Sequence, residues 1–243
     1  MALIKQKAVF CWSGGKDSAL CLYEVLSEGR FEVCYLLTTL NENFRRISMH
    51  GVREDLLDLQ AASIGIPLLK VFVSTGTNLE YEQAMEKCLL QAYSEGIEYV
   101  IFGDIFLEDL RKYRETNLAK IGMKGVFPLW KKGTKALIGR FLSLGFKTIT
   151  CCVNDMHLGK EYVGVEVNDA FVESLPEAVD PCGENGEFHT FCYAGPVFKK
   201  QIGFLLGESI YRPLEVKTQQ DAQCNPDSQM QGFWFCELIP SSL

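Results

Sequence analysis

The sequence predicts an α/β fold: a five-stranded parallel sheet with helices on both faces, followed by a small C-terminal α+β annex. Three observations carry that expectation. Apolar, β-rich segments alternate with helical patterns over the first 150 or so residues, the signature of a parallel sheet covered by its crossover helices. Glycines stand just past the helical runs, at Gly29, Gly65, Gly96 and Gly122, where helices stop. Beyond Asn154 the alternation ceases, and a glycine- and glutamate-rich stretch leads to a final aromatic run. At about 150 residues per domain, 243 residues accommodate one such core and an annex. The boundary is expected near residue 155, dividing 1–155 from 156–243.

Residues 8–12 form a short apolar strand that Ser13-Gly14-Gly15 breaks. Residues 18–27 then carry Leu20, Tyr23, Val25 and Leu26 at near-helical spacing. Strands follow at 31–40 and 67–73, the latter with Val71 and Val73 alternating, and helices at 52–64 and 79–94. The fourth strand, 99–105, runs into Gly103-Asp104 and precedes a charged helix, 107–121. After a Phe127-Pro128-Leu129-Trp130 turn, 134–144 reads as helix and 147–153 as the fifth strand. In the annex, 168–175 is helix-like, 180–190 is rich in Gly and Glu, and 191–198 and 233–239 are apolar. The polar, aromatic-free stretch 218–231 reads as a loop, and no internal repeat occurs.

Hydrophobic residues at 47% and charged residues at 23% are ordinary globular usage. Lys and Arg number 24 against 31 Asp and Glu, a net charge of -7 without a segregated basic block, which disfavours a nucleic-acid partner. The ten cysteines contain no CxxC pair, and His50, His157 and His189 lie far from zinc-ligand spacing, so reduced thiols in a cytoplasmic protein are expected. No apolar run approaches the roughly 20 residues a bilayer requires, and nothing near Met1 reads as a secretory leader.

The hexapeptide Ser13-Gly14-Gly15-Lys16-Asp17-Ser18 stands between the first strand and the first helix. Two glycines let backbone approach an anion, the helix N-terminus presents free N–H groups, Ser13 and Ser18 add hydroxyls, and Lys16 adds a cation. The spacing fits neither a Walker A loop nor the GxGxxG of dinucleotide folds.

That hexapeptide resembles the PP-loop of the N-type ATP pyrophosphatases, which cleave ATP between its α and β phosphates. Three further segments resemble the diphthine–ammonia ligase branch: Met49-His50-Gly51-Val52-Arg53; Gly103-Asp104-Ile105 with Arg111, Arg114, Glu115 and Pro128-Leu129-Trp130; and Cys182 to Thr190 ahead of Pro196-Val197-Phe198. The sequence departs from the archaeal-type pattern at Asp104, Asn185 and His189. The resemblance implies a Rossmann-like, HUP-type nucleotide fold and an ATP-dependent amide ligase that adenylates a carboxylate, releases AMP and pyrophosphate, and amidates with free ammonia. The acceptor it implies is diphthine on elongation factor two in an archaeal or eukaryotic owner, and another carboxylate in a bacterial one. A different acceptor, a tRNA base or small metabolite, and a nucleotide-binding module without turnover are the competing readings.

On this basis Ser13, Gly14, Gly15, Lys16, Asp17, Ser18 and Gly103 are expected to bind ATP. Lys16, Asp17, Asp104 and Glu187 are the expected catalytic groups, with Asp17 the first candidate for Mg²⁺ and Asp104 a second. His50, Arg53, Arg111, Arg114, Glu115, Glu184, Asn185, Glu187, His189 and Thr190 are the expected substrate residues, with Ser48 beside His50. Each has a plainer role open to it: Asp104 as a helix cap, Arg111 and Glu115 as a solvated ion pair, His50 as a surface histidine, and 184–190 as a surface turn.

Overall fold

The computed structural model describes residues 4–47, 50–74, 77–213 and 231–241. The expected loop at 218–231 lies outside the described residues except for Gln231, as do Ser48 and Met49. Five parallel strands run β4 (Leu68–Val73), β2 (Phe31–Asn41), β1 (Gln6–Cys11), β5 (Tyr99–Ile101) and β6 (Lys124–Val126) across the first sheet. A two-residue strand, β3 (Arg46–Ile47), adds antiparallel to the end of β2.

Alternation along β1 explains why both faces are covered. Ala8 and Phe10 point into a core with Leu20 and Leu22 of α1 (Lys16–Glu28), Leu56 and Leu57 of α2 (Glu54–Ile64), and Phe141 of α5 (Thr134–Ser143). Val9 points the other way, into a core with Leu89 of α3 (Asn78–Ser94) and Leu118 of α4 (Glu108–Lys120). All three β1 residues are fully buried. The fold is the expected α/β sheet with helices on both faces.

One strand sits elsewhere than expected. The run 147–153 does form a strand, β7 (Lys147–Asn154), but it belongs to a second, antiparallel sheet ordered β8 (Phe188–Ala194), β7, β10 (Gly232–Pro240), β9 (Phe204–Pro213). A strand buried on both faces, as β7 is from Thr148 to Val153, reads the same in a covered antiparallel sheet as in a parallel one, and periodicity does not separate them. The fifth parallel place is taken by β6, only three residues long and centred on Gly125, which carries no strand pattern. A methyl group at Gly125 would lie 2.9 Å from the Phe127 ring, so the glycine is a packing requirement. The second sheet therefore begins ahead of residue 155, and α6 (Asp169–Ser174) follows β7 in the chain. Among the described residues no helix is long and apolar enough to cross a membrane.

Candidate active site

A cleft of about 660 Å³ opens over the carboxyl ends of β1, β2, β4 and β5 and is closed on the far side by residues 182–184 and 188–190. Strand order reverses at β1, whose successor β2 lies on one side and β5 on the other. Open α/β sheets bind ligands in the crevice made by such a reversal. The hexapeptide occupies that point.

Several bonds fix its shape. Gly14 takes φ 78°, a left-handed conformation glycine adopts without strain. The Gly15 N–H donates to Ser13 Oγ at 3.3 Å, the Ser18 hydroxyl donates to the Gly15 carbonyl at 3.0 Å, and the Ser13 and Ser18 hydroxyls lie 3.0 Å apart. The loop is also bonded to the second sheet: Lys16 N–H donates to Thr190 Oγ1 at 3.0 Å and Cys192 N–H to the Gly14 carbonyl at 2.8 Å. A methyl on Gly15 would meet the Thr190 carbonyl oxygen at 3.0 Å, so the close approach of the sheets requires glycine there.

Lys16 is almost wholly buried, its ammonium bonded to Asp17 Oδ2 at 2.7 Å and to the Cys182 carbonyl. Burial opposes its charge, but Asp17, Cys182 and Glu184 outweigh that and hold its pKa above the ordinary lysine value. It is a fixed cation at any neutral pH. Glu184 faces the same cleft, and burial, followed by the nearby Asp17 charge, pushes its pKa up to about 7.

His50 and His189 stack at 4.5 Å between ring centroids with planes 24° apart, both lining the cleft. Burial lowers the His50 pKa to about 4; burial, then the His50 and Lys16 charges, lower that of His189 to about 3. Both imidazoles are neutral at pH 7. Because the folded values lie below the unfolded 6.5, the unfolded chain binds more protons at acid pH. The pair's contribution to stability is therefore complete above pH 6.5 and is lost as pH falls toward 4. A thermal melt series over that window is expected to show a falling Tm, and His189→Phe, which keeps a ring in the stack, is expected to flatten the slope. An equal slope in the variant would remove His189 from the effect.

Asp104 also lines the cleft, held at 2.8 Å by Arg114 Nε, while the Arg114 guanidinium lies 4.3 Å from the Phe102 ring centroid. Burial raises its pKa more than Arg114 lowers it. Gly103 packs against the Asp17 and Ser18 backbone and lines the cleft beside it. Both are exposed to the cleft because β5 stops at Ile101, earlier than the expected 99–105 strand.

Other expected site residues lie outside the cleft lining. Glu187 is fully buried behind the wall, accepting from the Asp180 N–H at 2.9 Å and from Asn185 N–H and Nδ2 at 2.8 and 3.0 Å. Burial would raise its pKa, but these donors outweigh it and hold the carboxyl below its usual range. Glu187 and Asn185 shape the turn that presents Glu184. Arg53 pairs with Glu237 of β10 at 3.2 Å and with Asp55. Arg111 and Glu115 form their i,i+4 pair at 2.9 Å, and Arg111 lies over the Phe127 and Trp130 rings.

Sequence reasoning missed Gln60. It is fully buried, accepts from Trp12 Nε1 at 2.9 Å, and donates Nε2 to the carbonyls of Gly14 at 3.0 Å and Cys192 at 2.6 Å. One amide thus joins Trp12 just past β1, the loop and β8. The available signal was a glutamine inside the apolar stripe Leu56, Leu57, Ala61, Ile64 of α2.

The family models for the diphthamide synthase N-terminal domain and the diphthamide synthase C-terminal domain match residues 6–125 and 133–216. The diphthine–ammonia ligase of Mus musculus is 28% identical over 221 residues, covering 78% of this chain and 79% of that protein. That of Danio rerio is 28% identical over 217 residues, 78% and 83%, and that of Homo sapiens 26% identical over 221 residues, 78% and 79%. Among solved structures, the U34-tRNA thiolase NcsA from Methanococcus maripaludis with its 4Fe-4S cluster matches at 19% identity and a TM-score of 0.37, over 58% of this chain and 59% of that one. With both domain models matched in order along most of its length, the chain belongs to the diphthine–ammonia ligase family, ATP-dependent ligases of the PP-loop superfamily.

Proposed function

We propose that this protein adenylates a carboxylate with ATP, releasing pyrophosphate, and amidates the adenylate with free ammonia. The observation that carries the reading is the fixed Lys16 ammonium in a glycine loop at the strand-order reversal, with Glu184 facing it across the same cleft. A carboxylate resists ammonia because its oxide leaves poorly and its charge repels nucleophiles. Attack of the carboxylate oxygen on the α phosphorus forms the acyl–phosphate bond and expels pyrophosphate onto the loop amides, the Ser13 and Ser18 hydroxyls and Lys16. Ammonia then attacks the acyl carbon, AMP departs with the electron pair, and Glu184 takes the proton the amine loses. The neutral His50 and His189 rings line the cleft without adding charge that would repel an incoming ammonium ion.

Mg²⁺ is bound through one or two carboxylates plus substrate phosphates. Both candidate carboxylates are ion-paired, Asp17 with Lys16 and Asp104 with Arg114, but Asp17 is the more exposed to the cleft and so better fits that donor set. When bound, the ion shares the charge of the departing pyrophosphate. In this reading the ATP site draws on the first sheet and the acceptor and ammonia side on the 182–190 segment. Diphthine, the acceptor in the names of the relatives, is the first carboxylate to test.

Glu184→Gln is expected to leave AMP-forming adenylation within a few-fold of wild type and to lower amide formation by about 10²-fold, the scale of a lost general base. Incubation with ATP, isotope-labelled ammonium and elongation factor two bearing diphthine, read by mass spectrometry, measures both. Labelled amide on diphthine supports the full reading. ATP bound without any AMP formed, under every acceptor offered, would favour a non-catalytic nucleotide module instead.

A further inference from the structure

We infer that the protein pairs with a second copy of itself through β9, edge to edge and antiparallel about a two-fold axis at Ile210. The second sheet runs β8, β7, β10, β9, so β8 and β9 are its edges. The β8 edge is engaged: Cys192 N–H donates to the Gly14 carbonyl and Ile202 N–H to the Tyr193 carbonyl, each at 2.8 Å. β9 has only β10 beside it among the described residues. An open edge of this kind is a template for another strand.

What selects a second copy is the order of side chains along that edge. Glu208, Ile210 and Arg212 alternate with Ser209 and Tyr211, so the three share one face, and all three are exposed, Ile210 by 46%. Among the described residues neither Glu208 nor Arg212 takes part in an ion pair. Centring the two-fold on Ile210 sets Glu208 opposite Arg212 of the second copy, repeats that pair by symmetry, and lays Ile210 on its own image. Centring it on Glu208 or Arg212 instead sets like charges face to face, which opposes those registers. The edge is therefore self-complementary in one register and self-repelling in its neighbours on the same face, as an isologous contact requires. Leu205 and Leu206, 60% and 54% exposed, extend the apolar surface at the near end of the strand.

Sedimentation velocity of the full chain across a concentration series tests this. A dimer is expected. Glu208→Arg and Arg212→Glu each place like charges opposite twice and are expected to raise the dimer dissociation constant by about tenfold or more, and the double variant to restore it. Hydrogen exchange on the unaltered protein gives a second readout: β9 amides are expected to gain protection as concentration rises. A monomer at the highest soluble concentration overturns the proposal. So does a dimer that both single reversals leave intact, a double variant that stays monomeric while its circular dichroism melt matches wild type, or β9 protection independent of concentration.

Discussion

Replacing Lys16 by Met is expected to lower AMP formation by about 10²–10³-fold, the effect of deleting one fixed electrostatic group aimed at developing charge. The Lys16 ammonium is held by Asp17 and the Cys182 carbonyl, so it needs no reorganisation when pyrophosphate leaves. Methionine keeps an unbranched stem in the same buried space, within reach of the Phe188 ring that lies 5.6 Å from the ammonium. The cost in stability is the Cys182 carbonyl left without its donor, about 1–3 kcal/mol. Initial rates of AMP release, set beside a thermal melt, separate the two effects. An unchanged rate would take the loop out of the chemistry.

Gln60→Leu is expected to lower both pyrophosphate affinity and stability, because one side chain satisfies three buried groups. Its loss leaves the Trp12 Nε1–H and the Cys192 carbonyl without that partner, about 1–3 kcal/mol for each buried group left unsatisfied. The Gly14 carbonyl retains the Cys192 N–H, so its loss is partial. Gln60→Glu is the sharper variant. It keeps an acceptor for Trp12 but sets a carboxylate oxygen against two carbonyl oxygens, so its affinity for pyrophosphate is expected to fall further than that of the leucine variant. Calorimetric titration with pyrophosphate measures this, and equal affinities for all three proteins would mean that Gln60 does not position the loop.

These two residues mark what the sequence made legible. The strand, glycine loop and helix around Lys16 are local: an apolar run, a break and a helical stripe adjacent in the chain. Gln60 acts over long range, with partners at Trp12, Gly14 and Cys192, and no short-range pattern announces that three elements converge on it. The two glutamates of the 182–190 wall show the same limit. Both sit in one polar segment, yet three N–H donors draw the Glu187 carboxylate inward while Glu184 is left facing Lys16 and Asp17. Which of them reaches the cleft depends on the turn geometry set by Gly183 and Gly186, both at positive φ. Strand β7 was visible as a strand but not as a member of the second sheet, because burial on both faces erases the alternation that would have separated the two.

The central claim is that ATP is cut between its α and β phosphates on the Ser13–Ser18 loop. Phosphorus NMR of the unaltered protein with ATP, Mg²⁺, ammonium and a carboxylate acceptor tests it most directly. The account predicts AMP and pyrophosphate in equal amounts, matched by the amide formed; ADP and orthophosphate would contradict it.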